Sequence, residues 1–316
     1  MRPKRGHRAK RNGLGALTLS LALTACDEFG PVDPVLTPKA RPDGAGQTEP
    51  DAPRATSEKS ASLRSYLTEV QSSQLTQGML RQDGGGPDTP FTAEMLARNF
   101  INIAFFSEYG RSNAVRLNRW DEPVRMAIAF GPSVPPSQRM RDRSDVVKFA
   151  NRLSRVSGHP ISVGGNSNFL VIFAGEDDRA ETLDRLSKTV PGFENVNTND
   201  LANLRDDIYC AVVADDQGEA PNTYTHAIAV IRAENPDLLR LSCIHEELAQ
   251  GLGLQNDSPQ ARPSIFNDDD EFALLTNHDE ALLKMLYDSR LRAGMTLNEA
   301  RPIIRQLAAE RLGGPS

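Results

Sequence analysis

Between residues 91 and 287 the apolar residues switch repeatedly between two periods, and this alternation most narrows the folds open to the chain. The spacing predicts a helix over 91–109, with Met95, Leu96, Phe100, Ile103 and Ala104 on one stripe and Gly110 as its stop. Residues 123–130 (PVRMAIAF) read as a strand closed by Gly131-Pro132. Ser144 is then expected to cap a helix whose apolar positions Val146, Val147, Ala150, Leu153 and Val156 run to Gly158. Strands are expected over 169–173, 208–214 and 226–231, the last two separated by a polar loop with Gly218 and Pro221. A long helix over 238–251 and a last one over 277–287 complete the series. Strands interleaved with helices predict an α/β (α+β layered) architecture, a mixed sheet packed on helices, within a globular domain at 87–316.

The N-terminus follows different rules. Six basic side chains precede an apolar run over 14–23 without any acid. Ten helical residues rise about 15 Å, half of a hydrocarbon core, so the run reads as a secretion signal over 1–25 and not as a membrane span. The run ends in Leu23-Thr24-Ala25-Cys26, which resembles a bacterial lipobox, in which the cysteine is lipidated and the chain is cut just before it. The alternative is an ordinary signal peptide that happens to contain a cysteine. Residues 26–60 hold six prolines (Pro31, Pro34, Pro38, Pro42, Pro50, Pro53) and almost no large apolar residue, the composition of a solvated tether. A short amphipathic helix with Leu63, Tyr66, Leu67 and Val70 and a Gly84-Gly85-Gly86 linker fill 61–86. The expected location is therefore the cell envelope, lipid-anchored to a membrane and facing the periplasm.

Charge supports an anchor made of lipid. The chain carries 36 basic and 42 acidic side chains; without the six basic groups of the leader, 30 face 42 and the net charge is −12. No basic face for nucleic acid is present in such a composition. Apart from Cys26, two cysteines remain, Cys210 and Cys243. In an exported protein they are expected to form a disulfide joining the 208–214 strand to the 238–251 helix, the alternative being two buried free thiols.

The residues with most chemical content run from Cys243 to Asp257 (CIHEELAQGLGLQND). A zinc peptidase places two histidines one helical turn apart with a glutamate beside the first. From His245 that pattern fails, because Ala249 stands at the second ligand position. Read from Glu246, the segment resembles the longer metzincin motif H-E-x-x-H-x-x-G-x-x-H. Glu247 then matches the catalytic glutamate and Gly253 the turn glycine, while Glu246, Gln250 and Asn256 occupy the three ligand positions. Ser264-Ile265-Phe266-Asn267 resembles the Met-turn, with Phe266 where methionine would stand, and 275–287 is similar to the closing helix. Together these imply a zincin-like domain. The leader, the tether, Leu117-Asn118-Arg119-Trp120 and the Cys243 to Asp257 block also resemble the bacterial lipoprotein family called domain of unknown function 2927, which implies an envelope lipoprotein without an assigned activity.

On an ideal helix Glu246, Glu247 and Gln250 fall at about 0°, 100° and 40°, one shared face. Zinc prefers imidazole and thiolate, so a carboxylate with two amides is expected to hold no metal and no cofactor, the alternative being a loosely held hard divalent cation such as calcium. His159, His226 and His278 stand singly and read as structural, and 267–271 (NDDDE) reads as a solvated loop, the alternative being a cation-binding cluster. The leading expectation is a non-catalytic binding or assembly module, with a membrane and an envelope protein or polymer as partners. The alternative is a peptidase or other hydrolase using Glu247 as general acid or base, with or without a hard metal ion. A third is a purely structural role, in which Leu248, Leu252 and Leu254 are core and Glu246 and Glu247 lie on a solvated face.

Overall fold

A computed structural model describes residues 56–105, 116–215, 221–267 and 269–313. The leader, Cys26 and the proline-rich segment up to residue 55 lie outside the described residues. So do Gly110 and the 106–109 end of the first expected helix.

Five strands form one sheet: β1 (Val124–Phe130), β2 (Ile161–Val163), β3 (Phe169–Ala174), β4 (Cys210–Asp215) and β5 (His226–Arg232), in the order β2-β1-β3-β5-β4. All neighbours are parallel except β4, which runs antiparallel to β5 at the sheet edge. Parallel central strands are covered on both faces and need continuous apolar runs. The sequence FLVIFA of β3 meets this demand, buried at every position. Its residues divide by the two-residue period: Phe169, Val171 and Phe173 enter the large core, whereas Leu170, Ile172 and Ala174 enter a smaller one. The small core is roofed by α4 (Arg179–Thr189) and α5 (Asn199–Ala202) through Leu183, Leu186 and Leu201. The large core is built from α2 (Ala93–Ala104), α3 (Pro136–Ser157), α6 (Asp237–Gln250), α7 (Asn277–Leu286) and α8 (Leu297–Arg311). The expected α/β layering, a mixed sheet packed with helices, is thus present.

Several expected boundaries shift, each for a physical reason. The helix expected to be capped by Ser144 begins two turns earlier, at Pro136, and Ser144 lies inside it. Its opening turns bury polar groups: Gln138 donates to the Ala233 carbonyl at 3.2 Å, and Asp142 pairs with Arg240 at 2.6 Å, so apolar periodicity cannot reveal them. The chain does not end its helices at 287. Helix α8 follows, opened by a capping box between Thr296 and Glu299 and burying Ala300, Ile304, Leu307 and Ala308. Pro302 inside it obscures the pattern, since proline normally breaks a helix interior.

The amphipathic segment ahead of residue 87 is helix α1 (Glu58–Thr76), with Ser57 accepting from the Ser60 amide as its cap. It packs on the sheet domain. Leu63 and Leu67 are buried, the Ser60 hydroxyl donates to Glu234 at 2.6 Å, and Gln71 accepts from the Leu239 amide at 3.1 Å. Beyond α1, the Leu80 amide donates to the Asp270 carbonyl at 2.9 Å and the Ala273 amide to that of Arg81. No helix among the described residues is long and apolar enough to cross a membrane.

Candidate functional site

The segment with the altered motif is held from both ends. Within α6, Ile244 and Leu248 join the large core, and Cys243 is bonded to Cys210 of β4 with their Cα atoms 5.9 Å apart. The expected disulfide is therefore present, and it fastens the edge strand to the helix across a sequence separation of 33 residues. The helix exit is fixed equally firmly. Trp120 donates through its indole N–H to the Gly251 carbonyl at 2.8 Å, and the Tyr287 hydroxyl donates to Leu252 at 2.8 Å. Gly253 has φ of +120°, and a Cβ there would lie 2.6 Å from the Asn118 carbonyl oxygen. Only glycine suits that combination of backbone and space. The Leu117 to Trp120 segment thus serves as the buttress of the helix end.

Past this turn the chain doubles back, and a cleft of about 530 Å³ opens between α6 and β4. Glu246, Glu247, Gln250 and Asn256 line one side, with Asp257 beside them; Tyr209, Cys210, Ala211 and Val212 line the other. The four motif residues therefore meet at one place. Gln250 donates to Asp257 at 3.0 Å, and Asn256 is pinned by two bonds to the Ile103 carbonyl, at 3.2 Å from its amide and 3.0 Å from its side chain.

Glu247 is the unusual group. It is only 4% exposed, so the reading that places it on a solvated helix face is corrected. Its Oε2 has no hydrogen-bond partner among the described residues. Burial, and next the negative charge of Asp257, raise its pKa well above the ordinary carboxyl range. The carboxyl group is thus shifted toward its neutral form and keeps an unengaged oxygen beside the cleft.

Could these groups hold zinc? One carboxylate oxygen of Glu246, one of Glu247 and the Cys210 sulfur lie within 4.8 Å of one another, but that sulfur is in the disulfide and is not a thiolate. Two carboxylates remain, with neither imidazole nor thiolate beside them, and this set does not fit zinc.

No described histidine lines the cleft. His245 points away, stacked on Phe149 with ring centroids 3.9 Å apart and accepting at Nδ1 from the Leu275 amide at 3.0 Å. Burial lowers its pKa to about 3, with Arg152 adding to the effect. His278 is enclosed beside Asn99, Nε2 to Nδ2 3.1 Å, and His159 packs on Tyr287. His226 packs edge-on against Phe193. All four pack against rings or backbone away from the cleft, and for His159, His226 and His278 this agrees with their isolation in the sequence.

The turn resembling a Met-turn places Phe266 fully inside the large core. It is tied to the start of α7 by Asp279, which accepts from the Ser264 hydroxyl at 2.5 Å and from the Ile265 amide at 3.0 Å. The acidic loop behind it is only partly solvated. Asn267 donates to the Pro259 and Ala261 carbonyls, Glu271 pairs with Arg262, and Asp270 accepts from Gln74 of α1 at 2.5 Å. Asp268 lies outside the described residues. Asn267 and Asp270 nevertheless reach the cleft, as does Tyr209, whose pKa burial pushes up to about 12. Sequence reasoning placed Asn267 and Asp270 in a separate acidic loop and did not single out Tyr209, because only the fold brings that loop and the residue ahead of β4 to α6.

A family model described as a protein of unknown function (DUF2927) matches residues 93–306, more than half of the chain. The chain belongs to the DUF2927 family. The matched region starts at α2 and runs into α8, so the sheet, the buttressed α6 and the cleft all fall within the DUF2927 domain, whereas α1 precedes it. No curated protein and no solved structure matches the chain.

Proposed function

We propose that this DUF2927 protein is a lipid-anchored protein of the cell envelope whose cleft binds an extended polypeptide, on a metzincin-like scaffold that has lost its zinc ligands. The leader, the Leu23 to Cys26 segment and the tether support the anchor. The series of sheet, α6, Phe266 turn and α7 supports the scaffold. The carrying observation is the pairing of an edge strand with the altered motif across one cleft. The Tyr209 carbonyl accepts from the Arg232 amide at 3.2 Å, so by antiparallel alternation Cys210, Val212 and Ala214 turn their N–H and C=O groups away from β5. An added strand would use those groups, and side chains of the bound segment would meet Glu246, Glu247 and Gln250. Without imidazole or thiolate the cleft has no means of activating a zinc-bound water.

A second reading rests on Glu247 alone. A buried carboxyl beside Asp257 with its pKa raised is suited to general-acid chemistry, and a metal-free hydrolase would use it so. Anisotropy titrations of labelled, unstructured short peptides of varied composition, followed by mass spectrometry of the peptides, separate the two. Binding without cleavage, weakened roughly tenfold by Val212→Pro through the lost strand bond, is the expected result. Cleavage that Glu247→Gln abolishes would establish the hydrolase instead. Binding insensitive to Val212→Pro would refute the strand-addition geometry.

A further inference from the structure

A second concavity, unrelated to α6, runs along the seam between α2 and α8. It encloses about 590 Å³ and presents Arg98, Arg301 and Arg305, with Glu94 at one side and Ala97 and Ile101 among its apolar lining. Arg98 follows Glu94 by one turn of α2, and Arg301 and Arg305 are one turn apart on α8, so the i,i+4 spacing aims each pair along one helix face. None of the three arginines forms an ion pair or hydrogen bond among the described residues.

Arg155, Arg185 and Arg292 also lack ion pairs, each at a separate surface position, whereas these three share one groove; the arginines near carboxylates elsewhere are engaged. Arg232 is paired with Glu176, Arg240 with Asp142 and Asp237, and Arg290 with Asp288 and Glu310. In a chain with 42 acidic and 36 basic side chains, carboxylates are not scarce. Three guanidiniums with one carboxylate leave the groove with a net charge of +2. Like charges facing one groove repel one another, and an anion placed among them removes that repulsion. Guanidinium is planar, permanently charged and forked, which suits the paired oxygens of a phosphate.

We propose that the α2/α8 groove binds a phosphate group, with Arg98, Arg301 and Arg305 on its oxygens and the carbon portion of the ligand over Ala97 and Ile101. A phosphate monoester dianion matches the net charge, and the volume leaves room for the group it is attached to. Two sources carry this chemistry, a phospholipid headgroup and a soluble phosphate ester. The inference stands apart from the cleft and needs no peptide at α6.

The test uses the full chain carrying Cys26→Ser, so that no acyl group contributes to membrane binding. One arm titrates glycerol 3-phosphate by calorimetry; the other sediments the protein with phosphatidylcholine vesicles with or without phosphatidylglycerol. The variants are Arg98→Gln/Arg301→Gln/Arg305→Gln and, as a charge control on α4, Arg185→Gln. Binding in either arm, weakened roughly hundredfold in the triple variant and retained in Arg185→Gln, is the expected result. Binding only to phosphatidylglycerol vesicles assigns the headgroup as source, and binding of glycerol 3-phosphate assigns a soluble ester. No binding in either arm, equal binding by the triple variant, or an equal loss in Arg185→Gln overturns the proposal. Circular dichroism and the thermal midpoint of the triple variant confirm that its fold is intact, because these side chains make no contacts that the fold needs.

Discussion

Removing the disulfide should weaken the protein by an amount that the structure fixes in advance. The bridge joins the edge strand β4 to helix α6 across a sequence separation of 33 residues. Closing a loop of that length removes about 3.7 kcal/mol of chain entropy from the unfolded state at 25 °C. For a domain of this size each kcal/mol moves the midpoint by roughly 2–4 °C, so the loss amounts to about 7–15 °C. The informative variant is Cys210→Ala/Cys243→Ala, since a single substitution leaves a buried free thiol. Cys243 is 2% exposed and Cys210 is half-buried, so the small volume lost adds modestly to the entropic figure. Thermal and urea unfolding of the wild type under oxidising and reducing conditions, beside the double variant, gives the difference directly. The same bridge spans the two walls of the cleft, so peptide binding should fall together with stability. A double variant within about 1 kcal/mol of the wild type would refute the reasoning, because the walls would then be held by packing alone.

Other outcomes follow from individual side chains. The Glu247 pKa is raised in the folded state, so the stability it confers is complete below its ordinary value of 4.5 and is lost as pH rises through the raised one. Urea midpoints should therefore show Glu247→Gln gaining on the wild type between pH 5 and pH 8, and a constant gap would contradict the buried acid. For His245 the sign is opposite: with its pKa lowered to about 3, stability present above 6.5 is lost as pH falls toward 3. A pH series of wild-type midpoints should show this acid limb, and a flat profile from pH 6 to 3 would exclude a buried neutral imidazole. Gly253→Ala adds a side chain at φ of +120°, 2.6 Å from the Asn118 carbonyl, and should cost about 2 kcal/mol or more in urea unfolding, whereas no loss would mean that the helix exit is pliable.

Strands β1, β3, β4 and β5 and helices α1, α2, α3, α6 and α7 were legible because their burial is largely apolar, whereas the three-residue β2 and helices α4, α5 and α8 went unread. FLVIFA, short and apolar throughout, reads as a buried strand, and Gly158, at φ of +73°, stops α3 where its pattern stops. Polar burial hid the start of α3 and part of the docking of α1. Gln138 and Asp142 anchor the first turns of α3, and Ser60, Gln71 and Gln74 bind α1 to the domain beside its buried Leu63 and Leu67. At the site, the shared face of Glu246, Glu247 and Gln250 followed from helix geometry, but the burial of Glu247 did not. That burial arises from β4 and from the returning Gln255-Asn256-Asp257 segment, and long-range contacts of this kind leave no local trace. The arginine groove was equally silent, because Arg98 stands about 200 residues from Arg301 and Arg305 and only the packing of α2 on α8 unites them.

The account rests most heavily on the cleft working without a metal. Elemental analysis of the full chain, purified without chelators and compared with Glu246→Ala/Gln250→Ala, tests this directly. The expected result is no stoichiometric zinc, calcium or other divalent metal in either protein. A metal bound one to one in the wild type and lost in the variant would contradict it, and would make the oxygen-lined cleft of α6 a metal centre.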